Sequence, residues 1–595
     1  MQSNNSNKRI KKTINRRVKA ARRSLTRIGT RSIGHTQSYL FARTANLRNV
    51  QQRVILWTVL VFVLISAAAL QIVANRGAST RIAAATGGTY VEGATGSLET
   101  LNPILASSGS ETAASHLLFT GLFDYDQTGS IRPALASSIE TTDAKTFVVH
   151  LREGVTWSDG KAFTSADVLY TVGLIQNAAV RSPLASSFRT ITVTAPDDMT
   201  VQMTLPTAYA PFVHSLTFGI LPQHVLARTD PADIRSSSFN LNPVTLGPFT
   251  FTSFRARDAN GNAVVYMSKN TRYFRNEVQV DRFQLYTYKD QGAMLRAYDR
   301  REVGALAGAT EATALSAQKS RAHTTITNTP LDNGDYALFN TKSEVYADTN
   351  LRAAIRQGTD VDALRRLVGG GVSELNGPVL AQQIPEVAPL KQMANDTMGA
   401  RVALDGLGWK AGANGIRSKD GRPLVMRLVA IDTGDYPRVA RELSRQWREL
   451  GIDVQLSLQP ADTASEQVLV PRAFDVLIYE LAIGADPDVY AYWHSSQTGQ
   501  AGLNFSGYSS VVADDSLTSS RATLDRQLRT AKYVAFAKQW LADTPAIALF
   551  QQSYHYVSGD DIKAIPEDAT LVTPVDRYST VGNWTVDTRR VFSTP

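Results

Sequence analysis

The chain has 595 residues, of which 43% are hydrophobic and 19% charged, a composition typical of folded proteins and a length too great for one core. The formal net charge is +9, but residues 1–53 hold fourteen Lys and Arg and no acid. The remainder is therefore slightly acidic, which excludes a general nucleic-acid-binding surface. The absence of cysteine excludes disulfides, thiolate metal sites and a Cys nucleophile.

The front of the chain is predicted to be a basic cytoplasmic tail over 1–53 and a transmembrane anchor over 54–74. The second stretch has no charged residue and spans about 30 Å as a helix, the thickness of the hydrocarbon core. A buried core helix and a cleaved signal peptide are the alternatives. The positive charges keep the N-terminus in the cytoplasm, so the large domain is predicted to lie outside a bacterial cytoplasmic membrane. The tail is expected to rest on anionic lipid and not on nucleic acid, since no aromatic residues interleave its charges.

The stretch 147–172, FVVHLREGVTWSDGKAFTSADVLYTV, predicts a strand, a tight turn and a helix. Phe147, Val149 and Leu151 alternate with polar positions, which indicates a half-buried strand. Thr164 and Asp167 have the spacing of a capping box at a helix start. Each of these signals has a folding explanation, and Trp157 is predicted to be a buried residue at the strand end.

The second half predicts a strand–helix–strand unit. LVMRLVAI and IDVQLSL read as strands on either side of the amphipathic YPRVARELSRQWREL, and such a unit implies a parallel sheet with a right-handed connection. Upstream, Thr359 is predicted to cap the helix in TDVDALRRLVGG. Near the end, TPAIALFQQSYHYV is predicted to be a strand.

No enzyme motif is present in the sequence. It contains no G-x-S-x-G elbow, P-loop or dinucleotide fingerprint, and the eight histidines do not fall at metal-binding spacing. The segment VGGGVSELNGP is rich in glycine but lacks the Lys-Ser/Thr pair of a phosphate cradle. We therefore predict no catalytic activity, no metal and no cofactor, with an unrecognised hydrolase as a remote alternative.

Several segments, in order along the chain, resemble the extracellular family 5 (peptide/nickel) solute-binding proteins of ABC importers. They include GGTYVEGATGSLETLNPIL, the stretch around 147–172, DTNLRAAIRQGTDVDALRRLV and FDVLIYELAIGADPDVYAYWHSSQ. The resemblance implies an α/β fold, a two-lobed periplasmic-binding-protein type II clamshell with an extra α+β subdomain. The implied boundaries are 84–110, 245–330 and 550–595 for lobe I, 111–244 for the extra subdomain, and 331–549 for lobe III, with hinge strands crossing near 331 and 549.

The resemblance also implies a function and a set of partners. A monomer would capture an oligopeptide or similar solute between the lobes and deliver it to an ABC permease. A surface sensor or a cell-wall-fragment binder on the same fold is the alternative. Peptide binders of the family carry an Asp four residues before a loop proline, and counting back from Pro487 gives Ile483, which cannot pair with an α-amino group.

The candidate binding residues come from two loops that the resemblance places at the cleft. Asp486 is a candidate partner for an ammonium group or a turn cap, and the nearby aromatic side chains are candidates for stacking on a solute or for packing in the core. The full set is Asp486, Tyr490, Tyr492, Trp493, Asn504, Ser108, Ser110 and Glu111.

Overall fold

The computed structural model describes residues 51–78, 80–84, 87–259, 261–275, 278–560, 562–586 and 588–592, with side chains described in 55–71 and from 87 to 586 outside the same gaps. The α-helices are α1 Gln51–Ala78, α2 Gly109–Leu118, α3 Ser165–Gln176, α4 Ala185–Phe188, α5 Gln223–Leu226, α6 Gln291–Asp299, α7 Glu311–Ser320, α8 Thr349–Gln357, α9 Val361–Val368, α10 Thr397–Gly406, α11 Tyr436–Glu449, α12 Tyr490–Trp493, α13 Val511–Ala522 and α14 Arg526–Asp543. Short 3₁₀ helices cover Ala210–Leu216, Pro231–Ser236, Ser238–Leu241, Pro385–Val387, Ser495–Gln497 and Pro574–Asn583, and a π turn covers Ser465–Leu469.

The strands alternate with these helices along the chain. They are β1 Thr80–Ala84, β2 Thr89–Thr95, β3 Phe123–Tyr125, β4 Ile131–Pro133, β5 Ala136–Glu140, β6 Thr146–Leu151, β7 Thr192–Asp197, β8 Thr200–Thr204, β9 Phe249–Arg255, β10 Ala263–Lys269, β11 Arg282–Tyr288, β12 Ala305–Ala309, β13 Thr324–Pro330, β14 Asn333–Phe339, β15 Val372–Ser373, β16 Lys410–Ala411, β17 Arg417–Lys419, β18 Arg422–Pro423, β19 Val425–Ile431, β20 Asp453–Gln459, β21 Val476–Ala482, β22 Ala546–Gly559 and β23 Thr588–Phe592.

The chain divides into two compact units, residues 1–83 with 589–595, and residues 84–588. The first unit contains α1, and residues 1–50 of the predicted basic tail lie outside the described residues. Within the part of the chain that the structure describes, no helix is both long and apolar enough to cross a membrane. The structure therefore does not support the predicted anchor over 54–74 or its contact with lipid.

The second unit is built around one twelve-stranded sheet with the main order β20-β19-β21-β14-β22-β12-β2-β11-β10-β9, while β13 and β15 also pair with β22. We call the side built on β2 and β9–β13 lobe I, and the side built on β14 and β19–β21 lobe III. Between β2 and β9 the chain forms a separate four-stranded sheet, β5-β6-β8-β7, and we use the name extra subdomain for the segment 111–244 that contains it. The predicted βαβ unit is present as β19, α11 and β20, with the two strands parallel.

Two chain crossings join the lobes. The first is the connection at Leu331 and Asp332, between β13 and β14. The second is β22, which pairs with β14 through Ala546–Phe550 and with β13 through Ser553–Gly559. One uninterrupted strand therefore belongs to both lobes, and side chains next to it lie where the lobes face each other.

The stretch around 147–172 folds as its pattern predicts and is used for packing. Phe147, Val149 and Leu151 of β6 are buried. The backbone N–H of Thr164 donates to Asp167 Oδ2 at 3.1 Å, so the predicted capping box is present. Trp157 is fully buried and its Nε1 donates to the same carboxylate oxygen at 3.2 Å. These contacts build the extra subdomain.

The predicted cap at Thr359 is wrong by one residue. The N-cap of α9 is Asp360, whose Oδ1 accepts a hydrogen bond from the backbone N–H of Ala363 at 2.8 Å. Thr359 is instead buried, and its hydroxyl accepts from Trp447 Nε1 at 2.9 Å. A carboxylate caps a helix at least as well as a hydroxyl does, and Thr359 is buried in the tertiary contact with Trp447 instead.

Candidate functional site

A cavity of about 360 Å³ lies between lobe I and lobe III, and we call it the interlobe cavity. Lobe I contributes the end of β12, the start of α7 and the later part of β22. Lobe III contributes the end of α9, the loop before α11, and β21. The lining residues are Ala309, Thr310, Glu311, Val368, Gly371, Val372, Thr433, Gly434, Asp435, Tyr436, Glu480, Phe550, Gln552, Ser553 and His555. A solute held here would contact both lobes at once.

The charged side chains of the interlobe cavity are acidic. Glu311, Asp435 and Glu480 line it, and its lining contains no Lys or Arg. Asp435 is paired with Arg438 at 2.7 Å on the same helix turn. Glu311 and Glu480 form no ion pair among the described residues, although Asn333 forms a side-chain hydrogen bond with Glu480.

Asp335 lies behind this lining and is fully buried on β14. It stands directly opposite Glu480 of β21 in the antiparallel register, and such cross-strand neighbours point to the same face of a sheet. The Tyr436 hydroxyl donates to Asp335 Oδ1 at 2.7 Å. Its second oxygen, Oδ2, has no partner of hydrogen-bond geometry, although the Gln552 amide is close enough to act on it.

Burial dominates the electrostatics of these two carboxyls. Together with the neighbouring charge of Glu480, it raises the pKa of Asp335 to about 7, although the hydrogen bond from Tyr436 lowers that pKa. Burial also raises the pKa of Glu480. Burial favours the protonated, neutral form of both carboxyls, and a cation that entered the cavity would favour their ionised form.

The interlobe cavity is closed on one side by the glycine loop, Gly369–Gly371. The backbone N–H of Gly370 donates to Glu311 Oε1 at 3.1 Å, joining lobe III to lobe I. A Cβ at Gly371 would lie 2.2 Å from His555 Cε1. The backbone approaches lobe I so closely that a side chain would not fit, which explains this glycine by packing and not by a phosphate.

A second contact joins lobe III to the extra subdomain. Arg529 Nη1 donates to Asp486 Oδ2 at 2.6 Å, and His214 Nε2 of the subdomain lies 3.8 Å from that same oxygen. Arg521 lies between two rings, 4.6 Å from the centroid of Tyr209 and 4.4 Å from that of Tyr490. Tyr209 belongs to the subdomain and Tyr490 to lobe III, so the lobes meet on both sides of the cleft.

A further cavity of about 400 Å³ lies within lobe I and the extra subdomain. Its walls include His116, Tyr125, Phe188, Phe218 and Asp576, and lobe III contributes none of its lining residues. Its lining residues belong to lobe I and its subdomain, although His214 lies 3.8 Å from Asp486 of lobe III. The interlobe cavity is therefore the better candidate for a site that opens and closes.

The three candidate residues of the early loop are used in the folding of lobe I. Ser108 caps α2 and accepts from the backbone N–H of Glu111 at 3.1 Å. Glu111 is buried and accepts from the backbone N–H groups of Glu99 and Ser107. Ser110 is buried and donates to the carbonyl oxygen of Thr95 at 2.9 Å.

The five candidates of the later loop are also engaged by the protein. Trp493 is fully buried with its ring centroid 5.4 Å from that of Trp540. Asn504 is buried and donates to the carbonyl oxygens of His494 and Tyr508.

The remaining three lie beside the contact with the subdomain. Asp486 is paired with Arg529, Tyr490 stacks on His494 with centroids 4.0 Å apart, and the Tyr492 hydroxyl donates to the carbonyl oxygen of Ala482 at 2.8 Å. The structure thus brings Asp486 and Tyr490 together at one edge of the cleft, whereas the early-loop candidates lie elsewhere in lobe I.

Sequence reasoning missed the three acidic residues that line the cavity and Asp335 behind them. Glu311, Asp335, Asp435 and Glu480 come from a helix start, two strands and a loop that are far apart in the chain. No local motif joins them. The one available signal was Glu480, a charged residue inside the apolar strand VLIYELA.

Comparisons with known proteins agree with this architecture. The model of the bacterial extracellular solute-binding proteins, family 5, matches residues 130–502, well over half of the chain. Protein XP55 of Streptomyces lividans is 28% identical over 473 residues, covering 78% of this chain and 83% of that protein.

Two solved structures share the two-lobed fold. The oligopeptide-binding protein AppA from Bacillus subtilis, in complex with a nonapeptide, matches with a TM-score of 0.66 and 21% identity over 84% of this chain and 99% of that chain. NikZ from Campylobacter jejuni, in complex with Ni(L-His), matches with a TM-score of 0.67 and 22% identity over the same shares. Because the family model matches more than half of its residues, this chain belongs to the bacterial extracellular solute-binding proteins of family 5.

Proposed function

We propose that this protein captures a peptide or a similar small solute between lobe I and lobe III and delivers it to the permease of an ABC importer. The observation that carries the proposal is the interlobe cavity, whose walls come from both lobes. The two lobes are joined by only two chain crossings, at Leu331–Asp332 and along β22. A solute that contacts both walls stabilises the closed arrangement by its differential affinity for that state.

The relatives support the solute class. AppA of Bacillus subtilis carries the name oligopeptide-binding protein, and its structure holds a nonapeptide. NikZ of Campylobacter jejuni holds Ni(L-His). Peptides and metal–amino-acid chelates are therefore the first probes for this chain.

Binding is tested on the full-length protein in two steps. Native mass spectrometry of freshly purified protein should show an added mass from a co-purified solute, and that mass should disappear after unfolding, dialysis and refolding. The stripped protein should then melt at a higher temperature with a mixed di- to nonapeptide pool or with Ni(L-His), because a ligand that binds the folded state stabilises it. Protein that is empty as purified and shows no shift with either probe contradicts capture.

Delivery needs a separate test in cells. Deleting the gene should lower uptake of a radiolabelled peptide pool, and the wild-type gene on a plasmid should restore it. A point variant that binds no peptide in vitro is the matched control and should not restore uptake. Unchanged uptake in the deletion strain would argue for a surface receptor without transport.

A further inference from the structure

We propose that the interlobe cavity selects a cationic group of the solute, an ammonium or a guanidinium, so that the preferred solutes are basic. This inference rests on the proposed function, since it names the solute class of the same cleft. It concerns the interlobe cavity defined above and not the edge of the cleft where Asp486 is already paired with Arg529.

The charge balance of the cavity is the first step. Glu311 comes from lobe I and Glu480 from lobe III, and neither has an ion-pair partner among the described residues. His555 is the only titratable base in the lining, and burial lowers its pKa, so it does not supply a compensating positive charge. A cation that enters between Glu311 and Glu480 gains attraction from both lobes.

Asp335 provides an independent indication of a missing partner. Its side chain is 0% exposed and Oδ2 accepts no hydrogen bond. Three of its neighbours line the cavity, namely Glu480 across the strand pair, Phe550 on β22, and Tyr436, which donates to Oδ1. Buried polar atoms in folded proteins are almost always satisfied. Asp335 therefore lies on the same face of the sheet as Glu480, next to lining residues, with one carboxyl oxygen unpaired.

The size of the cavity decides which part of a solute enters it. A volume of about 360 Å³ is at the small end for ligand sites. It accommodates the end of a basic side chain or a small amine, but not a nonapeptide. The cavity therefore acts as a subsite for one cationic group while the rest of the solute extends along the cleft.

The specificity contributed by this subsite follows from the cost of unpaired charge. A cation between two carboxylates makes charge-assisted hydrogen bonds, whereas a carboxylate in the same place meets like charges in a partly buried site. We expect the subsite to discriminate between solutes by the sign of their charge more than by their shape. The preference should also weaken at high salt, because ions screen the attraction.

The test compares three peptides of equal length on the full-length, solute-stripped protein by isothermal titration calorimetry. Trilysine should bind at least about tenfold more tightly than trialanine, the gain expected from one charge-assisted hydrogen bond, and triglutamate should bind most weakly. Glu480→Gln should remove about tenfold of the trilysine affinity and less of the affinity for trialanine, whose one cation is its α-ammonium group. Glu466→Gln, at an exposed position on the π turn, is the matched control and should change neither.

Each other outcome counts against the proposal in a distinct way. Equal affinities for trilysine and triglutamate would overturn the cationic subsite and leave peptide capture standing. An equal loss for all three peptides in Glu480→Gln, repeated in Glu311→Gln, would mean that these residues hold the fold and do not select charge. If none of the peptides binds the wild-type protein, the subsite and peptide capture both fail.

Discussion

At the scale of single residues, the core of lobe I contains a buried ion pair. Glu92 and Arg577 are 0% and 3% exposed in their side chains, and Arg577 Nη2 donates to Glu92 Oε1 at 2.7 Å. Tyr556 donates to the other oxygen at 2.9 Å. Such a network fixes one arrangement of the core, because each charge depends on the other for its solvation.

Removing one member should therefore be costly. Arg577→Met leaves Glu92 buried without its cation, and we expect a loss of about 3–5 kcal/mol in the free energy of unfolding, measured by urea denaturation. Arg445→Met is the control, since Arg445 pairs with Glu442 on the exposed face of α11 and should cost less than about 1 kcal/mol. Equal losses in the two variants would show that the burial of the Glu92 pair does not matter.

The pKa of Asp335 predicts a pH dependence of stability. Burial raises it from 3.8 to about 7, so the folded state binds this proton more tightly than the unfolded state. The stabilisation is present below about pH 4 and is lost as the pH rises to about 7. The melting temperature of the wild-type protein should therefore fall more between pH 4 and 8 than that of Asp335→Asn. The exposed Asp462→Asn should match the wild type, and parallel profiles for all three would contradict the shift.

At the scale of elements, adding a single methyl group to the glycine loop should disturb the contact between lobe III and lobe I. Ala at Gly371 would place its Cβ 2.2 Å from the His555 ring, which Asn328 holds through a 2.7 Å hydrogen bond at Nδ1. A Cβ at Gly370, in contrast, would have no other atom within 4 Å. Gly371→Ala should therefore favour the open arrangement and raise the radius of gyration in solution scattering.

Gly370→Ala is the matched control for this change. It adds the same methyl group one residue away, in open space, and should leave the scattering curve and the melting temperature unchanged. An identical response of the two variants would mean that the loop does not govern closure.

Elements were predictable from the sequence where local pattern determines them. The alternation of Phe147, Val149 and Leu151 and the apolar stripe of α11 follow from strand and helix periodicity, and both elements are present. The interlobe cavity was not predictable, because Glu311 and Glu480 meet only after the sheet has assembled. The side chains of the loop candidates Trp493 and Asn504 are suited to contact a ligand. In the structure, however, Trp493 packs against Trp540 in the core and Asn504 forms hydrogen bonds within its own loop.

At the scale of the whole molecule, the contact between lobe III and the extra subdomain should hold the cleft closed. Arg521 lies between the rings of Tyr209 and Tyr490 and forms an ion pair with Asp488 at 3.0 Å. Arg521→Ala removes the cation–π contacts, each worth about 0.5–2 kcal/mol. We expect faster dissociation of a bound peptide in stopped-flow experiments, with a small change in the association rate.

Arg526→Ala provides the comparison for that experiment. Arg526 is exposed at the start of α14, so its removal changes the net charge equally without touching the subdomain. A dissociation rate that rises to the same extent in both variants would assign the effect to charge and not to the contact.

The position of β22 in the sheet has a consequence for how the protein is made. This strand separates β14 from β12, yet it comes from residues 546–559 and is therefore translated after every other strand of the twelve-stranded sheet. Until then neither lobe can complete its sheet, and the nascent chain presents two unpaired strand edges. Exposed edges of this kind invite pairing with other chains, so a polypeptide released before residue 546 should aggregate although most of both lobes has already been translated.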